Sequence, residues 1–375
     1  MIQKIITGIK STGSSLHLGN LMGAVLPFQK LAAGKDAAIF VADLHSLTSV
    51  KDGHTLREQT FEIAVEYFAI FGIDSPIRIF RQSDIHDITK LMWILTNVTP
   101  YSLMNRAHSF KDAENKRINE FDENLKEMKN EIQDYFAKHR NFTESDIDYI
   151  SALFVRKYLD RISQIPEINM WVFNYPILMA ADILGYDVDA VPVGKDQLQH
   201  LEMTRDIARA FNKTYGQEIF TEPEAIIAEE VATLPGIDGR KMSKSYDNFI
   251  WVFDDEKTMK KRVMSIVSGS EWVDERKKNP DECNIYNLYK VFATPEQAAT
   301  MREKYNSENI GYGYGHAKTE LSGVLQEYLR PYREARDKLL QNPELVEARL
   351  AEWARIMNAR LDEKMRVVKE IVGVN

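Results

Sequence analysis

Short, uninterrupted apolar runs recur through the first 250 residues, separated by longer stretches with helical spacing. Lys4 to Gly8 is one such run, closing on a glycine turn. Leu21 to Leu31 then reads as a helix, and Ala37 to Asp43 is a second run of strand length that ends in an acid. Thr55 to Phe71 has helical character and leads to Ile77-Arg78-Ile79-Phe80; Val188 to Val193 repeats the short apolar pattern and is followed by Gly194. Continuous apolar strands alternating with helices predict an α/β fold, a doubly wound parallel sheet covered on both faces. In such sheets ligands bind at the carboxyl ends of the strands. Attention therefore falls on the loops after Ile6, Val41 and Val193.

Two stretches break the pattern. Residues 112–165 are strongly charged, with Leu125, Met128, Ile132 and Phe136 at helical spacing, and read as a helical insertion. Its plain reading is a solvated two-helix appendage. After residue 250 strand signals fade, and Leu321 to Leu329 and Val346 to Val372 are amphipathic and rich in helix formers. The expected organisation is a catalytic domain over 1–250 that carries the insertion, and a helical region over 251–375.

Composition narrows the class of protein. The 375 residues are 44% hydrophobic and 28% charged, as in ordinary globular proteins. No apolar run approaches the roughly 20 residues that span a bilayer, and the N-terminus lacks the pattern of a signal peptide. A single cysteine, Cys283, excludes an intrachain disulfide and thiolate metal clusters. A cytoplasmic enzyme is expected. The net charge of −8 argues against non-specific coating of nucleic acid, so a nucleic-acid partner would be met through shape and local contacts.

Two loops carry candidate chemistry. Thr7 to Asn20 leaves a strand and opens a helix, with glycines that admit a ligand close to the backbone and free N–H groups that favour anionic oxygens. His17 and Asn20 are three apart, so both can reach one ligand. Neither the G-x-x-x-x-G-K-[ST] phosphate loop nor the dinucleotide G-x-G-x-x-G is present. A structural turn with a capping serine explains this loop about as well. The second loop, Pro235 to Ser245, contains Lys241-Met242-Ser243-Lys244-Ser245. Its glycines suggest mobility, and its cations could close over a triphosphate. A solvated basic loop is the plain alternative.

Together, His17-Leu18-Gly19-Asn20 and Lys241 to Ser245 resemble the paired signatures of the class I aminoacyl-tRNA synthetases, with Asn20 where a second histidine is commoner. Three further stretches are similar to the tryptophanyl branch: Tyr175 to Leu184, Val191 to Glu202, and Gly311-Tyr312-Gly313-Tyr314-Gly315 with the helix after it. The resemblance covers nearly the whole chain outside the insertion, and implies a Rossmann-like catalytic domain with a helical anticodon-binding region. By this resemblance Lys10, Ser11, Thr12, Gly19 and Asn20 would lie against ATP, as would Gly194, Lys195 and Asp196. His17 and Asn20 would stabilise the reacting phosphoryl group. Lys241 and Lys244 would hold pyrophosphate with Met242, Ser243 and Ser245, and Lys111 would reach the triphosphate. Gly8, Tyr175, Met179, Asp182 and Gln197 would line a tryptophan site, in which the Asp182 carboxylate accepts the indole N–H. Outside this resemblance, an ion-paired acid on a helix face is the ordinary reading of Asp182, and a turn-forming role that of Asp43 and His45. The implied substrates are ATP, L-tryptophan and tRNA(Trp), with Mg2+ accompanying ATP, no dedicated protein metal site, no membrane partner, and a homodimer. Tyrosine is the competing amino acid, and a silent paralogue retained for binding is the competing class.

Overall fold

The computed structural model describes residues 2–11, 15–138, 143–163, 165, 167–227, 234–268, 279–306 and 311–374; the side chains of residues 145, 146, 196, 245 and 306 fall outside the description. In chain order the elements begin with β1 (Lys4–Ile9), α1 (Leu18–Asn20), a π-helical turn (Leu21–Val25), α2 (Leu26–Ala32), β2 (Asp36–Val41), α3 (Asp43–Ser46), α4 (Gly53–Phe71) and β3 (Arg78–Arg81). The helices α5 (Ile88–Thr96), α6 (Tyr101–Met104), α7 (His108–Lys138), α8 (Glu144–Ser163) and α9 (Met170–Leu184) follow. Then come β4 (Ala190–Val193), α10 (Leu198–Tyr215) and β5 (Glu224–Ile227). The remainder is helical: α11 (Glu256–Met264), α12 (Asn284–Phe292), α13 (Pro295–Asn306), α14 (Tyr314–Leu340) and α15 (Pro343–Val372).

The five strands form one sheet in the order β3-β2-β1-β4-β5, and every pairing is parallel. β1 therefore sits at the reversal of strand order, and the loops after β1 and β4 flank the crevice where such sheets hold ligands. The apolar runs explain the central strands: Ala37 to Val41 are all buried, as parallel strands covered on both faces must be. β5 was not expected, because Glu224-Ala225-Ile226-Ile227 is short and half-exposed, an edge strand without a continuous apolar signal. β1 also runs further than its composition suggests. Gly8 lies inside the strand, opposite Phe40 of β2, and is no turn. A Cβ on Gly8 would fall 2.3 Å from the Phe40 ring, so packing against the neighbouring strand requires glycine there.

By contacts the chain forms two compact units: residues 1–88, 185–198 and 221–375 in one, and residues 89–184 and 199–220 in the other. The helices after residue 250 thus cluster with the sheet, and no unit boundary falls at 250. α14 packs on α4, and α15 packs on β3. α15 is held along its length by pairs to the sheet side: Arg349–Asp74 at 2.6 Å, Arg81–Glu347 at 2.7 Å, Arg360–Asp36 at 2.9 Å, Lys364–Asp187 at 2.6 Å and Lys369–Asp87 at 2.7 Å. Between them the buried Asn358 receives the His86 amide at 2.9 Å and donates to the Asp84 carbonyl at 2.8 Å.

In the second unit the charged stretch is a helical hairpin of α7 and α8, with no fully buried residue on α7. Arg161 and Lys157 of α8 both pair with Glu131 of α7, and Tyr135 meets Phe154 edge-on. Helix formers at 3.6-residue spacing, with partners that arrive from one side, account for it.

Replacing Asn358 with alanine leaves the His86 N–H and Asp84 C=O without a partner in a buried seam. The expected cost is about 1–3 kcal/mol of stability by denaturant titration, and an unchanged midpoint would show that water replaces the amide freely.

Candidate active site

The chain between β1 and α1 is built around backbone pairing to a distant segment. The Leu18 amide donates to the Ile250 carbonyl at 2.9 Å, the Val252 amide donates to the Leu16 carbonyl at 2.9 Å, and His17 and Trp251 form an antiparallel bridge. Extended backbone at Leu16–Leu18 thus finds its obligatory partners just beyond the lysine pentapeptide. The two loops that the sequence singles out are thereby brought together. Met242 is buried, and its Cβ lies 3.5 Å from where a Cβ on Gly19 would stand. The His17 ring would meet that same added Cβ at 2.9 Å, so glycine at 19 lets both loops close on one point.

His17 caps α1. Its Nδ1 accepts from the Asn20 amide at 3.2 Å, and Asn20 Oδ1 accepts from the His17 amide at 3.3 Å. This reciprocal box assigns Nδ1 as acceptor, which puts the ring proton on Nε2, and it leaves Asn20 Nδ2 as a donor. The ring stacks on Phe249 with centroids 6.1 Å apart and is almost wholly buried. Burial, helped by the nearby Lys244 charge, lowers its pKa to about 4. His17 is therefore a neutral N–H donor at pH 7, where an imidazolium would have been the more obvious partner for phosphate.

The lysine loop is ordered by Asn248, which the sequence reading passed over. The Ser243 amide donates to Asn248 Oδ1 at 2.8 Å, and Asn248 Nδ2 donates to Asp238 Oδ1 at 2.7 Å and to the Lys241 carbonyl at 3.0 Å. Gly236 and Gly239 serve this turn. A Cβ at 236 would fall 2.3 Å from Asn248 Nδ2, and Gly239 has φ +83°. Gly236 packs against Asn248, and Gly239, whose added Cβ would meet Asn284 Nδ2 at 2.5 Å, supplies the left-handed turn. Lys241 and Lys244 stand exposed on it, with Lys244 Nζ 5.3 Å over the Trp251 ring. Desolvation holds the Lys244 ammonium below the usual lysine range, and the Glu66 carboxylate partly offsets that.

Other predicted residues fall as follows. Ser11 is buried with its hydroxyl committed: its amide and Oγ both lie on Ser46 Oγ, at 2.9 and 3.0 Å, and Thr60 donates to it at 3.1 Å. A buried network thus already satisfies that hydroxyl. Lys10 stays at the loop surface, and burial of its surroundings lowers its pKa. Thr12 lies outside the described residues. Gly194, Lys195 and Gln197 form a single turn immediately after β4, with Gly194 accepting from the Gln197 amide at 3.0 Å; the backbone of Asp196 belongs to that turn. Asp43 ties two strand ends together, accepting from Ser83 N at 3.0 Å and Leu44 N at 2.9 Å, which is the turn-forming role.

In the second unit Tyr175, Met179 and Asp182 lie along α9, with Asp182 2% exposed. Tyr175 shares a 2.5 Å hydrogen bond with Nε2 of the buried His200 on α10. Gln199 beside it accepts from the His108 amide at 2.8 Å and donates to the Arg106 carbonyl at 2.9 Å, fixing the turn into α7, on whose first turn Lys111 is exposed. Among the described residues no group of three or more His, Cys, Asp or Glu side chains could hold a metal ion.

A parallel sheet of this order, with a capped histidine loop at its switch point stitched to a cationic loop, defines a Rossmann-like nucleotide-binding protein. More narrowly, the chain belongs to the class I tRNA synthetases for tryptophan and tyrosine: the model of that family, "tRNA synthetases class I (W and Y)", matches residues 3–131 and 150–330. Among similar proteins, the tryptophan–tRNA ligase of Fusobacterium nucleatum is 40% identical over 374 residues, covering 100% of this chain and 98% of the relative. That of Campylobacter jejuni is 34% identical over 99% of this chain and all of its own length. The crystal structure of tryptophanyl-tRNA synthetase from C. jejuni with ADP and tryptophan superposes with a TM-score of 0.80 at 32% identity, covering 99% of this chain and 100% of that one.

The buried His17 gives a pH signature. Its folded pKa of about 4 lies below the ordinary 6.5, so the unfolded chain takes up the proton first as pH falls. The His17 contribution to stability is present in full above pH 6.5 and is lost on acidification toward pH 4. Urea midpoints measured across that window should fall, and His17→Asn should flatten the slope. A His17→Asn slope equal to wild type would remove His17 from the linkage.

Proposed function

We infer that this chain is a tryptophan–tRNA ligase, which activates L-tryptophan with ATP to tryptophanyl-adenylate, releasing pyrophosphate, and passes the aminoacyl group to the 3′ end of tRNA(Trp). The observation that carries this reading is full-length similarity to tryptophan–tRNA ligases, 40% identical in F. nucleatum, in a chain that keeps both signature loops.

The attacking tryptophan carboxylate is already ionised, so the first step needs no protein base; positioning and charge stabilisation dominate. In this reading His17 Nε2–H and Asn20 Nδ2 donate to the phosphoryl oxygens as charge builds there. A neutral donor stabilises that charge without holding the product phosphate as a cation would. Lys241 and Lys244 hold the departing pyrophosphate, and Met242 sets their loop against Gly19. Lys10 and Lys111 supply further positive charge toward the triphosphate, with Ser243 and Ser245 as hydroxyl donors. Gly194, Lys195 and Asp196 flank the nucleotide ribose. Tyr175, Met179, Asp182 and Gln197 select tryptophan, with Gly8 keeping the strand surface flat. Magnesium enters with ATP as counter-ion to its phosphates, and no step is assigned to it. The domain reading attached to this function is a catalytic region over 1–250 and an anticodon-reaching helical region over 251–375. A homodimer in the cytoplasm completes the proposal.

Amino-acid-dependent ATP–pyrophosphate exchange tests it. Tryptophan should support exchange and tyrosine should not; exchange with tyrosine alone would sink the tryptophan assignment, and none with any amino acid would favour a binding module. Asp182→Ala should lower kcat/KM for tryptophan about 100-fold or more while KM for ATP moves little, since a hydrogen-bonding site rejects what leaves its partner unmatched. Equal losses for both substrates would take Asp182 out of the selection.

A further inference from the structure

The segment 247–252 serves both loops of the site at once. Ile250 and Val252 pair with Leu18 and Leu16, and the Phe249 ring stacks on His17. Immediately before them, Asn248 is 1% exposed and holds the lysine loop. Its carboxamide accepts from the Ser243 amide at 2.8 Å and donates to the Lys241 carbonyl at 3.0 Å and to Asp238 Oδ1 at 2.7 Å. Its main-chain carbonyl accepts from the Ile237 amide at 2.8 Å. The chain enters this residue through Asp247, whose φ of +47° is left-handed, and Arg262 of α11 pairs with the Asp247 carboxylate at 2.9 Å.

Met242 is buried, so the peptide groups on either side of it need partners within the protein. The Met242 amide finds the Leu234 carbonyl at 2.9 Å. The Lys241 carbonyl and the Ser243 amide are both taken by the one carboxamide, which has N–H donors and an acceptor on a single planar group. An aspartate there could still accept from Ser243. It has no proton for the Lys241 carbonyl, and it would set a second carboxylate against Asp238. Because Asn248 and the residues that pair with Leu16–Leu18 belong to one short segment, its side chain relates the lysine loop to the histidine loop.

We propose that Asn248 is a positioning residue for amino-acid activation: its carboxamide fixes the main chain on both sides of Met242 and so sets Lys241 and Lys244 in register with the His17 loop. The link to activation rests on the function proposed above; the hold on the loop does not.

Full-length wild type, Asn248→Ala and Asn248→Asp are compared, with thermal melting in parallel. Asn248→Asp keeps the side-chain volume and the acceptor for Ser243, so it tests the donors even where the alanine variant folds poorly. Limited trypsin digestion, read by mass spectrometry, reports on the loop. Cleavage after Arg240, Lys241 or Lys244 should be about tenfold faster in both variants, the order expected from losing one or two hydrogen bonds, with cuts elsewhere unchanged. An unchanged rate at those bonds overturns the proposal. Tryptophan-dependent ATP–pyrophosphate exchange reports on activation: kcat should fall about tenfold, with KM for tryptophan within about twofold. Single-turnover transfer from preformed tryptophanyl-adenylate to tRNA(Trp) should stay within about twofold of wild type, because pyrophosphate has already left. An unchanged kcat overturns the proposal, and so do equal losses in activation and transfer that follow the melting temperature. Wild-type protein without exchange would sink the function proposed above, and the digestion alone then decides the part played by Asn248.

Discussion

The short antiparallel pairing of Leu16–Leu18 with Ile250–Val252 is the contact on which the rest of the first unit's chemistry depends. A loop leaving a parallel strand has unpaired amides and carbonyls, and burying them without partners is costly. Here the partners come from the residues just past the lysine pentapeptide. Once that pairing forms, His17 is trapped between its own cap and Phe249, Met242 closes on Gly19, and Lys244 lies over Trp251. The His17 and Asn20 donors and the cations of the lysine loop are thereby held by backbone geometry, and long side chains need supply little of the order.

The same economy governs ionisation. Burial makes His17 neutral and also lowers the Lys244 pKa. In the function proposed above, a neutral histidine suits a donor that releases its product, and the lysine acts as a cation. The acid beneath the loop, Glu66, accepts from Ser15 Oγ and the Leu16 amide, and its charge partly offsets the desolvation of Lys244. α14 brings Arg336 to the same acid and packs on α4, so the helical C-terminal part contributes to the floor of the loop region as well as to the outer layer.

The ion pairs along α15 illustrate a different balance. Most are partly exposed, and pairs of that kind contribute modestly one by one. The buried apolar positions of the helix, Val346, Leu350, Met357, Leu361 and Val368, carry the packing, while Asn358 and the charged pairs fix which rotation of the helix docks. Its regular spacing makes this helix easy to see in the chain, yet that spacing says nothing about what it docks against.

What the sequence determined by itself follows from local physics. Continuous apolar runs announced the parallel strands, 3.6-residue spacing announced the hairpin of α7 and α8 and the C-terminal helices, and the two signature loops announced an ATP-using synthetase, since those patterns are written in consecutive residues. Tertiary structure alone decided the rest. Gly8 looked like a turn and is a gap filled by Phe40; Ser11 is joined to Ser46 and Thr60, far along the chain; Gly236 is wrapped on Asn248 and Gly239 sits against Asn284. Glu66 did leave a trace, one acid in an apolar helix face, but its meaning required Ser15 and Leu16 beside it. Such roles depend on neighbours far away in the chain, and a side chain's chemistry is set by what surrounds it after folding.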